Sequence, residues 1–341
     1  MTSHPNFPRL LLAPFKGLTN RAYRDAHARH FGGFDGHMAP FVSGTGIRAV
    51  APSKIADLVP VTENLCPTIP QIISTSAEEI ILFGKAMHAQ GYNHINWNLG
   101  CPFPRIANKK RGCGLLPHPG EIHRILDRVF REIPIELSVK TRLGYQHHAE
   151  ILEVLPILDQ YPLREITIHP RIGTQVYRGE VNHPGFAACL QATRHQVIYN
   201  GDVYNLSQYL SIKARFPSIR SWMLGRGLLM DPFLALEIKG MRISDAHKRE
   251  MLHAFHLELL ANPCGNENKQ LGYLKSVWYY MAGCFAPGEA LFASIKTSRS
   301  LAQYRELLPK VFEAPLAGEE QKEAYFRHAI KHIGRDPNFA M

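Results

Sequence analysis

Residues 135–171, IELSVKTRLGYQHHAEILEVLPILDQYPLREITIHPR, read as one repeat of a parallel α/β fold. Residues 135–139 and 165–168 are short runs dominated by Ile, Leu and Val, and residues 149–160 between them carry a helical pattern. Near-continuous apolar strands joined through a helix are the signature of a parallel sheet covered on both faces. Each run ends in polar residues, Lys140-Thr141-Arg142 after the first and His169-Pro170-Arg171 after the second.

The same unit recurs on both sides. Strand-like runs stand at 10–13, 37–40, 70–73, 94–99, 196–199 and 221–224, with further helical patterns at 76–90, 119–131 and 206–216. The helix at 76–90 opens on Ser76-x-x-Glu79, a capping box, and closes at Gly91. Eight strand candidates, most followed by a helix, predict a (β/α)8 TIM barrel. A doubly wound open sheet uses the same units, and periodicity does not separate the two. The lack of a G-x-G-x-x-G after the first run counts against a dinucleotide-binding domain. From about residue 240 the β pattern stops. Residues 244–261 place Met251, Leu252, Phe255 and Leu259 on one helical face, and 271–284 and 290–312 look helical. The expected organisation is a catalytic barrel over 1–238, a small all-helical C-terminal domain over 239–325 and a tail over 326–341.

With 45% hydrophobic and 20% charged residues in 341, wholesale disorder is excluded. No run reaches the roughly 18 apolar residues of a membrane span, and residues 1–9 lack the apolar core of a secretory signal. Six scattered cysteines form no C-x-x-C pair, so no metal site is expected. A cytoplasmic chain with reduced thiols is the expectation. The net charge of +10 suits a polyanionic partner. Residues 240–341 hold 13 basic and 11 acidic residues, which leaves 26 and 18 in the first 239, where the excess sits. Its densest cluster is Lys109-Lys110-Arg111.

In a parallel barrel the working residues come from the carboxyl ends of the strands. Here those ends carry Pro14-Phe15-Lys16, Gln71, Asn98 with Cys101, Lys140, His169 with Arg171, Asn200-Gly201-Asp202 and Gly225-Arg226. Singly each is weak, since Gln71 would serve as a core amide and Lys140 as a surface charge. Together they converge on one basin. Asn200-Gly201-Asp202 and Gly225-Arg226-Gly227 fit a phosphate site of turning backbone N–H groups, with Arg226 adding a fork. Lys140 and His169 would stabilise the negative charge of a reduced flavin, and Gln71 would meet its pyrimidine edge. Cys101, on a loop between Gly100 and Pro102, is a candidate acid or nucleophile. Cys113 reads as structural. By chemistry alone a sugar phosphate would also suit the basin.

Asn98-Leu99-Gly100-Cys101-Pro102 followed by Lys109-Lys110-Arg111-Gly112-Cys113-Gly114 resembles the signature of the tRNA-dihydrouridine synthases. Residues 13–20, 138–144, 168–171, 200–202 and 224–227 are similar to that family's other blocks, in the same order. The chain departs from the family's commoner residues at Phe15-Lys16, at Asn20 and at Pro170 and Ile172 after His169. The resemblance implies an FMN-containing barrel, with FMN held by Pro14, Phe15, Lys16, Gln71, Lys140, His169, Asn200, Gly201, Asp202, Gly225 and Arg226. It implies Asn98 on the target uracil, Cys101 as catalytic acid, Arg171 near substrate or flavin, and Lys275 on a helix that meets tRNA. Trp278 and Tyr279 on that helix would equally serve as core. The implied reaction is reduction of a tRNA uridine to 5,6-dihydrouridine by NADPH through FMN, with hydride to C6 and a proton from Cys101 to C5. Lys109, Lys110 and Arg111 would grip the tRNA backbone. A monomer is expected. The rival readings are an FMN barrel acting on a free pyrimidine, like dihydroorotate dehydrogenases, and a non-catalytic RNA-binding barrel.

Overall fold

The computed structural model describes residues 7–46, 48–59 and 66–332. They form two compact units. One comprises residues 36–201 and 216–223, and the other the described residues up to 35 together with 202–215 and 224 onward. The 238/239 division drawn from the sequence falls within the second unit, between helices Leu234–Ile238 and Asp245–Ala261.

Nine strands, β1 (Arg9–Leu12), β2 (Gly36–Met38), β3 (Thr68–Ile69), β4 (Gln71–Ile72), β5 (His94–Leu99), β6 (Glu136–Gly144), β7 (Ile166–Ile172), β8 (Val197–Tyr199) and β9 (Ser221–Leu224), share one sheet. Its order is β3-β2-β1-β9-β8-β7-β6-β5-β4. The two terminal strands, β3 and β4, are halves of one extended segment interrupted at Pro70, which has no N–H to give a ladder. The sheet therefore meets itself there, and eight staves form a nearly closed barrel. Pairing is parallel from β2 to β3 and from β4 through to β9. This topology excludes the doubly wound alternative.

Alternation along the central strands separates two faces. In β5, Ile95, Trp97 and Leu99 alternate with His94, Asn96 and Asn98, and all six are buried. Helix Ala77–Ala89 lies on β5, and the Trp97 indole donates to the Ser74 carbonyl at the entrance to that helix. The apolar set thus packs under the helices. The opposite set, continued by Ser138, Lys140 and Arg142 on β6 and by Thr167, His169 and Arg171 on β7, lines the barrel with polar groups.

Two strands run further than their apolar cores. β6 continues to Gly144 and β7 to Ile172, with a register shift between Arg142 and Gly144, so Lys140 and His169 lie within strands rather than after them. Cross-strand pairing of Arg142 with His169 extends the ladder through residues that look like loop in isolation.

In the second unit every element after β9 is helical. The single helix expected over 290–312 is two, Gly288–Thr297 and Leu301–Glu313. Ser298 turns its hydroxyl onto the Ile295 carbonyl, and Ser300 caps the second helix by accepting from the Gln303 N–H. Helix Glu319–His332 also runs through positions assigned from the sequence to the tail. Trp278 and Tyr279 resolve as core. Trp278 Nε1 donates to the Tyr304 hydroxyl at 2.6 Å, which in turn meets His256 Nε2 at 2.9 Å, and the Tyr279 hydroxyl donates to the Ala329 carbonyl. Among the described residues no helix is long and apolar enough to cross a membrane, and no cluster of His, Cys, Asp and Glu could hold a metal ion.

Candidate active site

Cys101 leaves β5 on a tightly packed loop. The Asn98 carbonyl oxygen of the side chain, Oδ1, accepts from the backbone N–H groups of Gly100 (3.0 Å) and Cys101 (2.9 Å), which fixes where the thiol emerges. The Cys101 carbonyl accepts from both the backbone N–H and the thiol of Cys113, each at 3.2 Å. Cys113 is buried. Gly112 lies between them with φ +59°, and a Cβ there would fall 2.6 Å from the Cys101 carbonyl oxygen. Gly112 therefore serves close packing against the cysteine, and Gly114 packs against the Ala107 backbone. Burial pushes the Cys101 thiol up. The Phe103 backbone N–H and the charges of Arg142, Arg105 and Lys140 oppose this only in part. At neutral pH the sulfur keeps its proton, which suits an acid and not a resting thiolate.

A continuous chain of hydrogen bonds runs inward from that loop. Asn98 Nδ2 donates to Gln71 Oε1, Gln71 Nε2 to Asn96 Oδ1, and Asn96 Nδ2 to Ser138 Oγ, each at 2.8 Å. Ser138 Oγ also meets His94 Nε2 at 2.7 Å. The second N–H of Gln71 reaches the Met38 sulfur at 3.0 Å. Gln71 thus has both protons committed within the protein. To serve a ring edge as donor it must give up the Met38 sulfur, a weak acceptor. Asn96 and Ser138 were not singled out by the sequence reading. The polar alternation His94-x-Asn96-x-Asn98 was the signal available for Asn96.

Lys140 pairs in register with Asn98 across β5 and β6. Among the described residues no carboxylate lies within ion-pair distance of it. Burial and the neighbouring Arg142 charge push its ammonium down to about 7, with Cys101 acting the other way. Arg142, given no role of its own in the sequence reading, is 2% exposed. Its Nε donates to the Gly100 carbonyl (3.0 Å) and its Nη1 to the Ile172 carbonyl (2.9 Å), with the guanidinium over the Tyr177 ring. It ties the cysteine loop to the end of β7. Arg171 donates to His169 Nε2 (3.2 Å) and to the Gly179 carbonyl (2.7 Å), so neutral His169 carries its proton on Nδ1. Asn200 Nδ2 donates to the Met223 carbonyl at 2.8 Å. At Gly201 a Cβ would meet the Tyr199 hydroxyl at 2.2 Å, so no side chain fits. Lys109 and Lys110 are exposed and Arg111 half-buried; Lys110 reaches Glu121 at 3.7 Å.

The remaining candidates belong to the second unit. Phe15 is buried, its N–H held by the Thr19 hydroxyl at 2.9 Å, with Pro14 half-buried and Lys16 exposed beside it. Arg226 is buried and donates to Asp202 Oδ1 at 2.7 Å, so these two predicted ligands are partners of each other. At Gly225 a Cβ would come 3.3 Å from the Phe15 ring, and at Gly227 one would strike the Val203 carbonyl at 2.0 Å. The Lys275 ammonium binds the Lys296 carbonyl at 3.0 Å and also the Ser298 carbonyl, clamping the end of helix Gly288–Thr297.

Comparison with known proteins defines the family of this parallel barrel. The family model for dihydrouridine synthase (Dus) matches residues 11–327, and the chain belongs to that family. The chain is 27% identical over 314 residues to a tRNA-dihydrouridine(16) synthase of Neisseria meningitidis serogroup B, covering 88% of this chain and 93% of that one. It is 26% identical to the enzyme of the same name from Cupriavidus necator, covering 90% and 99%. With tRNA-dihydrouridine synthase B of Klebsiella pneumoniae it shares 26% identity, over 73% and 81%. Among solved structures, morphinone reductase superposes with a TM-score of 0.51 at 9% identity, covering 70% of this chain and 88% of that one, a likeness of fold alone.

Proposed function

We propose that this protein reduces a uridine of tRNA to 5,6-dihydrouridine, with FMN as bound cofactor and NADPH as reductant. The observation that carries the reading is the placement of Cys101 on the loop leaving β5, where its N–H is held by Asn98, itself in register with Lys140. The residues fit a flavin. Lys140 is a buried amine without a carboxylate partner, pushed down to about 7, and a ring that becomes anionic at N1–O2 on reduction would favour its protonated form. When bound, FMN provides the hydride for C6 of the base. The residues we propose to hold it are Pro14, Phe15, Lys16, Gln71, Lys140, His169, Asn200, Gly201, Asp202, Gly225 and Arg226.

The chain's own part in the reaction is protonation. Cys101 Sγ holds the proton that C5 takes, and a positioned acid of this kind contributes about 10²–10⁴-fold. Asn98 has a second N–H for a carbonyl of the uracil, and Arg171 lies beside His169, near the same chemistry. The base must leave its stack to reach the thiol, at a cost of a few kcal/mol. Lys109, Lys110 and Arg111 would offset that by gripping phosphate, with Lys275 more distant in the sequence and already bound to carbonyls. Relatives that cover most of this chain are named for position 16, which is the position we propose. A single chain acting in the cytoplasm, where tRNA is plentiful, is the form we propose.

Two experiments test this. Mapping dihydrouridine by mass spectrometry in tRNA from cells lacking the protein should show the loss at position 16; unchanged tRNA refutes the assignment. Purified Cys101→Ala should bind FMN and oxidise NADPH yet form little dihydrouridine, and turnover at the wild-type rate would remove the thiol from the chemistry. Free uridine or dihydroorotate turned over in preference to tRNA would favour the free-pyrimidine reading, and a colourless protein the non-catalytic one.

A further inference from the structure

We infer that Asn96 is a positioning residue: it locks Gln71 with its carbonyl toward Asn98, and so supports from the inner side the Asn98 orientation that the Gly100 and Cys101 N–H groups set from the outer side, in which an N–H rather than a carbonyl is left for an incoming base. This rests on reading Asn98 as the residue that meets the uracil.

A carboxamide has a donor end and an acceptor end, and turning it over exchanges them. Three such groups lie in series here, and the order in which they face one another is dictated from both ends. At the outer end, two backbone N–H groups, those of Gly100 and Cys101, point at one atom of Asn98. That atom must be oxygen, and Asn98 Nδ2 must then face Gln71. Gln71 answers with its oxygen, which turns its nitrogen to Asn96. Asn96 answers with its oxygen in turn and gives its nitrogen to Ser138. At the inner end Ser138 can receive that proton because its own has two outlets, His94 Nε2 at 2.7 Å and the Ile95 carbonyl at 3.3 Å.

Every member of the series is buried, Gln71 and Asn96 at 0% exposure, so no water competes for the links and each inverted amide would set donor against donor. Asn98 has one N–H left after Gln71, and that is the group available to a base. It matches a carbonyl oxygen, such as those of uracil, and opposes an amino group. Asn96 touches no substrate. Its role is to supply an acceptor that only the correct Gln71 orientation satisfies.

Asn96→Leu and Asn96→Asp separate this from simple packing. Leucine removes the acceptor and lets Gln71 turn over. Aspartate keeps an acceptor toward Gln71, and Ser138 can donate to its other oxygen. We expect Asn96→Leu to lower dihydrouridine formation by about 10- to 100-fold, the range for one unsatisfied buried group, with NADPH-driven flavin bleaching within about twofold of wild type. Asn96→Asp should recover most of the lost turnover. Equal loss in both variants, or wild-type turnover in Asn96→Leu, overturns the inference. If Asn96→Leu fails to fold, Asn96→Asp alone decides, since loss of turnover there with normal flavin bleaching contradicts the lock. Asn98→Ala separates the two levels: full activity in it sinks the reading on which the inference rests, whereas an inactive Asn98→Ala beside a fully active Asn96→Leu sinks only the lock.

Discussion

Replacing Arg142 by methionine is the most direct probe of what holds the cysteine loop. The guanidinium donates to the Gly100 carbonyl at 3.0 Å and to the Ile172 carbonyl at 2.9 Å. Hydrogen bonds to a charged group contribute about 1.5–3 kcal/mol each, so the two together hold about 3–6 kcal/mol. Burying the cation offsets part of this, and methionine fills most of its volume, leaving an expected destabilisation of about 2–4 kcal/mol. Urea unfolding of the flavin-free protein measures it. A second readout follows from electrostatics. The Arg142 charge is the second cause, after burial, of the depressed Lys140 amine, so removing it should raise the Lys140 pKa above its present value of about 7. The pH dependence of Lys140 acylation, read by mass spectrometry, reports that shift. A stability change under about 0.5 kcal/mol, the scale of an ordinary surface substitution, with an unmoved Lys140 titration would refute the assignment of Arg142 as the tie between the loop and β7.

Lys140 should also shape the pH dependence of stability. Its folded pKa, about 7, lies below the ordinary 10.5, so the unfolded chain binds more protons between those values and stability rises with pH across that window; Lys140→Met should flatten that part of the curve in thermal melts of flavin-free protein. Gly112→Ala places a side chain at φ +59° and 2.6 Å from the Cys101 carbonyl oxygen. It should destabilise by about 1–2 kcal/mol for the left-handed backbone and cut dihydrouridine formation more than flavin reduction, whereas unchanged product formation would contradict the close packing. Reversing the charges of Lys109, Lys110 and Arg111 should shallow the salt dependence of tRNA binding by about 0.7–0.9 per lost phosphate contact, and an unaltered slope in filter-binding titrations removes the loop from the interface.

Much of the site was legible in one dimension because its ingredients are local. Gly100-Cys101-Pro102 announces a loop, Ser76-x-x-Glu79 a helix start, and Ile166, Ile168, Val197 and Ile198 strands covered by helices. The carboxyl ends of those strands, and the residue types they carry, are therefore marked in the sequence itself. Arg142 and Asn96 escaped for a common reason. Each looks ordinary among its chain neighbours and acquires its role from a partner far along the chain, Ile172 for the arginine and Gln71 and Ser138 for the asparagine. Lys275 likewise has partners that its neighbours do not announce, the Lys296 and Ser298 carbonyls.

The order of short apolar runs and helices determined by itself that the sheet is parallel, and the residue types at the strand ends determined which chemistry is possible. Closure of the sheet belonged to the tertiary structure, because it depends on β3 and β4 joining opposite edges across Pro70. So did the direction of every amide in the interior. A hydrogen bond between strands depends on register, and register is a property of two distant segments that neither one contains.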